Sequence, residues 1–184
     1  MTSRGGLSKW RTVVSRKLYV TIALAMLCGC AKVGTDAGPT ATAELQPRSG
    51  SNVHGTVRFS QAGERVRITG ELTGGTPGMK GFHIHEKGDC SAPDAMSAAG
   101  HYNPAKTKHG APGAGHAGDL GNVTFDAAGN AHIDKTVSGI AVSREPARGI
   151  VGRAVIVHLQ EDDLKTDPTG NAGGRAACGV IREN

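Results

Sequence analysis

An all-β domain is the fold class this sequence predicts, and three observations carry that prediction. Short segments at residues 53–59, 66–72, 123–125 and 131–136 alternate apolar and polar side chains, the period-two pattern of strands with one face in a core. Turn-forming breaks such as Gln61-Ala62-Gly63-Glu64 and Ala127-Ala128-Gly129-Asn130 separate such segments, in a chain with 28 glycines. No stretch repeats apolar residues at helical or heptad spacing.

The elements follow in chain order. Residues 1–17 carry Arg4, Lys9, Arg11, Arg16 and Lys17 and no acid, and residues 18–29 form a short apolar stretch ending in small residues. That is the layout of a secretory leader, and the apolar stretch is too short to span a bilayer. Leu27-Cys28-Gly29-Cys30 resembles the lipobox of bacterial lipoproteins, which makes residues 1–29 a cleaved signal peptide and Cys30 the lipidated new N-terminus. The expected location is outside the cytoplasm, anchored by lipid to a bacterial membrane and facing the periplasm or the cell exterior. Residues 30–40 read as a tether, the first strand enters near residues 41–46, and residues 41–184 are long enough for one domain with its own core.

Charge follows the leader. The chain is +5 overall, yet residues 30–184 hold sixteen basic and sixteen acidic side chains, so the basicity belongs to the leader and the composition makes no case for nucleic-acid binding, which calls for a basic stripe in the folded part. Asn122-Val123-Thr124 matches a glycosylation acceptor, but beside a bacterial-type leader it is read as a turn.

Six of the eight histidines, with one aspartate, fall among glycine-rich turns: His83, His85, His101, His109, His116, Asp119 and His158. His54 and His132 lie outside that pattern in polar, alternating segments and read as surface residues. In Gly81-Phe82-His83-Ile84-His85-Glu86 the alternation predicts a strand, which puts His83 and His85 on one face. Residues 150–157 are a near-continuous apolar run ending at His158 and read as a buried strand. Imidazole suits copper, zinc, iron and nickel alike, while three histidines and a carboxylate satisfy four-coordinate zinc. Two complete four-ligand sites need more donors than these seven residues supply, so either one residue serves both metals or one site is open.

The segments GFHIHEKGDC, AGHYNP, HAGDLGN, IVGRAVIVH and TGNAGGRAACGVI resemble the copper/zinc superoxide dismutase family from about residue 40 to the C-terminus. The resemblance implies an eight-stranded Greek-key β-barrel of immunoglobulin-like sandwich type, with two long functional loops at residues 87–118 and 159–174. It implies one copper and one zinc per subunit, with copper on His83, His85, His101 and His158 and zinc on His101, His109, His116 and Asp119. His101 would then be the bridging imidazolate. Arg175 would orient the superoxide anion as the other catalytic residue, Asp162 would join a copper histidine to a zinc histidine, and Cys90 and Cys178 would form the intrasubunit disulfide. The implied activity is dismutation of superoxide to dioxygen and hydrogen peroxide in extracytoplasmic antioxidant defence, by a monomer or a homodimer. The loop between His158 and Arg175 is shorter than in animal-type relatives, and Lys87, Lys106, Lys108 or Lys165 are candidates to replace its guiding charges. Two rival readings, a non-catalytic copper or zinc carrier and a lipoprotein with purely structural metals, are disfavoured because His101, Asp119 and Arg175 are all present.

Overall fold

A computed structural model describes residues 38–184, all of them strands and loops apart from one 3₁₀ turn. The leader, the lipobox with Cys30 and most of the tether lie outside the described residues. The strands are β1 (Thr40–Pro47), β2 (His54–Ala62), β3 (Arg65–Thr73), β4 (Gly78–His85), β5 (Asp119–Phe125), β6 (Ala131–Ser138), β7 (Ala154–His158), β8 (Arg175–Val180) and a short β9 (Arg182–Glu183). Eight of them form one antiparallel path, β5-β4-β7-β8-β1-β2-β3-β6, and β9 adds to β1. The β1–β8 and β3–β6 neighbours come from distant parts of the chain, as Greek-key connections require.

Alternation decides which side each strand buries. Ala41, Ala43 and Leu45 of β1, Val57 and Phe59 of β2, Val66, Ile68 and Leu72 of β3, and Ile133 of β6 point into one core while their neighbours face solvent. On β7 and on β4 from Gly81 onward both faces are buried. Phe82, Ile84, Val155 and Val157 enter the core, and the opposite face, with His83, His85 and His158, lies under the two long loops. Those loops run over residues 86–118 and 159–174, where the sequence places them.

Strands β5 and β6 end the path, and the seam between them is closed by a side chain. Lys135 on β6 donates its Nζ to the carbonyl of Leu120 at 3.0 Å and to that of Asn122, both on β5. Burial of this ammonium pushes its pKa down.

Two expectations need correction. Asn122-Val123-Thr124 is not a turn: it lies inside β5, where Asn122 pairs with Gly81 of β4. The Asn122 amide also donates to Asp162 O at 2.9 Å and accepts from Asp162 N at 2.8 Å, so the strand continues because this side chain is used internally. The strand expected over residues 150–157 begins only at Ala154. Gly152 has φ +87°, its N–H donates to Ile181 O at 2.8 Å, and Arg153 N–H closes a turn on Ile150 O at 3.1 Å. Ile150 and Val151 are buried all the same, so the apolar run reports burial correctly and conformation only in part.

Candidate metal centre

Strand geometry supplies the first half of the site. His83 and His85 project from one face of β4, and His158 ends the neighbouring β7, whose Ile156 pairs with His83. His101, from the long loop, forms an isolated bridge with His85 and brings its ring 4.0 Å from that of His83. Ring nitrogens of His83, His85, His101 and His158 lie within 4.8 Å of one another, all buried.

Hydrogen bonds to groups that can only accept fix the proton positions. His85 Nδ1 donates to Ala99 O at 2.9 Å and His158 Nδ1 to Gly173 O at 3.1 Å, so each Nε2 keeps a lone pair. Those two Nε2 atoms face each other at 3.3 Å. His83 donates Nε2–H to Asp162 Oδ2 at 2.8 Å, which leaves its buried Nδ1 without a partner, and His101 Nε2 is likewise unpaired. Buried lone pairs converging on one point suit a cation. A proton does not serve instead, because desolvation pushes His83 down to about 4 and His158 to about 3, with nearby histidines adding to the effect. Desolvation also holds His85 well below the ordinary range.

The second group shares His101. Its Nδ1 lies 2.9 Å from Asp119 Oδ1, and His116 Nδ1 and His109 Nδ1 lie 3.3 Å and 3.1 Å from the same carboxylate. The nitrogens on His109 and His116 have no hydrogen-bond partner and are buried. His101, His109, His116 and Asp119 place four ligand atoms within 4.8 Å of one another, a donor set that suits tetrahedral zinc. Asp119 starts β5, and its Oδ2 accepts from His116 N at 2.8 Å and Gly110 N at 3.1 Å. Desolvation works to raise this carboxyl, but the bond with His101 and these N–H groups outweigh it and hold it below the ordinary value.

Asp162 ties the groups together. Oδ2 accepts from His83 and Oδ1 from His109, both at 2.8 Å, so one buried carboxylate orients an imidazole in each group. Desolvation would raise its pKa, yet the hydrogen bonds from His83, Leu164 N–H and His109 hold it at about 2. His83, His109 and Asp162 also sit close enough to hold an ion, but these short contacts already commit the carboxylate to two N–H donors. The bridge depends on a missing side chain: a Cβ at Gly170, which has φ +64°, would stand 1.8 Å from Asp162 Oδ1.

Arg175 begins β8 beside His158. Nη1 donates to Ala95 O at 2.6 Å and Nη2 to Ala99 O, carbonyls flanking the 3₁₀ turn Met96–Ala98. Ala95 and Ala99 both have positive φ, 56° and 62°, which turns their carbonyls toward the guanidinium. Ala99 O thus accepts from Arg175 and from His85 at once. The loop is fastened by the Cys90–Cys178 disulfide and by Arg48, whose Nε and Nη2 donate to Cys90 O at 3.0 and 2.7 Å.

A cavity of about 370 Å³ opens onto this centre, lined by His85, His101, His158, Arg175, Asp94 and Met96 among others. None of Lys87, Lys106, Lys108 and Lys165 lines it. His54 and His132 lie elsewhere on the surface, bonded to Asn52 O and Glu71. The contributions of Ala95, Ala99 and Gly170 escape a reading of residue types, since carbonyls and absent side chains carry no chemical label. Asp94 was open to notice, standing between Cys90 and His101.

Comparison with known proteins agrees with this geometry. A family model described as copper/zinc superoxide dismutase matches residues 53–181. An extracellular superoxide dismutase (Cu-Zn) of Brugia pahangi is 42% identical over 153 residues, covering 77% of this chain and 75% of that protein. One of Caenorhabditis elegans, with the same description, is 44% identical over 135 residues, 69% of this chain and 60% of the relative's length. A crystal structure of the clock protein EA4 superposes with a TM-score of 0.71 at 42% identity, covering 81% of this chain and 97% of the other.

Proposed function

This chain belongs to the copper/zinc superoxide dismutase family, and from that premise we propose how its residues divide the work of converting superoxide to dioxygen and hydrogen peroxide. The observation that carries the assignment is the sharing of His101 between two buried four-ligand groups. His83, His85, His101 and His158 would hold copper, and His101, His109, His116 and Asp119 would hold zinc. When bound, copper supplies the reversible one-electron exchange that dismutation needs, which zinc cannot, and zinc supplies fixed positive charge.

The remaining roles belong to the chain. Burial keeps His83, His85 and His158 neutral, the form in which imidazole is a ligand. Arg175 presents a guanidinium of fixed orientation to the incoming anion. His101 Nε2 has no protein partner and is the atom at which the chain can hold a proton and pass it to the product. Asp162 keeps His83 and His109 in register. The test is His101→Ala: purified wild-type protein should carry one copper and one zinc per chain, and the variant should lose about a hundredfold or more in superoxide dismutation. Full metal occupancy without activity in the wild type would move the protein to a carrier or structural class.

The two extracellular relatives support a place outside the cytoplasm. Lipid attachment at Cys30 to a bacterial membrane is supported by the lipobox-like Leu27-Cys28-Gly29-Cys30 and the basic, apolar stretch before it. Radiolabelled palmitate should enter the wild-type chain and be absent from Cys30→Ser. Homodimer formation is open to sedimentation equilibrium.

A further inference from the structure

The cavity over the metal centre has an unusual charge balance for the receptor of an anion. Among the described residues that line it, Arg175 and Asp94 are the two that are charged at neutral pH. Arg175 attracts superoxide and Asp94 repels it. The carboxylate is no mobile bystander: Asp94 Oδ1 accepts from Met96 N–H at 2.9 Å, and the next residue, Ala95, accepts Arg175 Nη1 at 2.6 Å. The same turn of chain thus holds the cation and the anion at one opening. The field of Asp94 is felt at Arg175, whose pKa burial lowers and the carboxylate raises. No lysine lines the cavity to restore a positive balance.

We propose that Asp94 is a rate-limiting positioning residue for anion capture, a fixed negative charge that offsets Arg175 and holds superoxide entry below what the guanidinium alone would give. This rests on the dismutation reading above. A unit charge acting through water at the range of neighbouring side chains changes the local concentration of a monovalent anion by about two- to fivefold. Steering responds to that local field and not to total charge.

Asp94→Asn removes the charge and keeps an oxygen able to accept from Met96 N–H. Two readouts on the metal-loaded protein test the idea: kcat/KM for superoxide as a function of ionic strength, and azide affinity titrated through the copper absorption band. Asp94→Asn should raise both by about two- to fivefold at low ionic strength, and the gain should collapse near 1 M salt, where the Debye length is about 3 Å. Asp94→Lys should gain more. Unchanged kcat/KM and azide affinity in both variants would overturn the proposal, and so would a gain that persists undiminished at high salt, since that reports a displaced loop. Arg175→Gln, run in parallel, separates the two levels. If it leaves azide affinity and rate intact, the reading of the cavity as the anion site fails; if it weakens both while the Asp94 variants change nothing, only the inference about Asp94 fails.

Discussion

His83 and His158 tie the stability of the metal-free domain to pH through their loss of water. Their folded pKa values, about 4 and about 3, lie below the ordinary 6.5 of an unfolded histidine. The unfolded chain therefore binds more protons in the interval between, and stability falls as pH drops. Stability is retained above about pH 6.5 and lost progressively from there towards about pH 4 for His83 and about pH 3 for His158, on the order of 2 kcal/mol per imidazole by pH 5. Asp162, held at about 2 against an ordinary 3.8, adds a loss of the same sign at still lower pH. Urea unfolding of metal-stripped protein at pH 7 and pH 5 checks this, with a midpoint clearly lower at pH 5 expected. At this scale the candidate ligands were legible, because the chain has only eight histidines and six of them fall in one pattern with Asp119. The acceptors that orient them were not: Ala99 O serves His85 and Arg175 through backbone conformation alone.

Among the elements, β5 and β6 share core side chains, and Lys135 is the side chain that hydrogen-bonds across their seam. Its ammonium reaches the carbonyls of Leu120 and Asn122 on β5, at the cost of partial desolvation. Lys135→Met should keep the packing against the barrel and lose the tie, lowering stability by about 1–3 kcal/mol in chemical denaturation. It should also speed amide exchange in Asp119–Phe125 more than in β1 or β2. Alternation revealed β2, β3 and β6 because each has a wet face. The borders of β5, read from alternation, and of β7, read from an apolar run, were misplaced for opposite reasons. Asn122 is a polar residue spent inside the fold, and Ile150 and Val151 are apolar residues buried in a turn. A period of two says which way a side chain points only once the backbone is known to be extended.

Across the whole molecule, the Cys90–Cys178 bridge joins residues 88 apart and fastens the loop that carries Ala95 and Ala99 to the strand that carries Arg175. Cys90→Ser with Cys178→Ser should cost about 2–5 kcal/mol in denaturant at equal metal occupancy, the usual range for removing a native bridge from a small exported domain. It should weaken azide binding as well, because the carbonyls holding Arg175 are then free to drift. The two candidate metal groups also differ in where their ligands stand. His83, His85 and His158 sit on β4 and β7, whereas His109 and His116 belong to the long loop. Filling the strand-borne group therefore asks little reorganisation of the barrel. Filling the loop-borne group fixes chain that has little regular hydrogen bonding of its own, so its binding free energy is spent in part on conformational entropy. A metal on that group would in effect be a folding cofactor for residues 101–119, and its removal should show as local melting, read by amide exchange, before the barrel gives way.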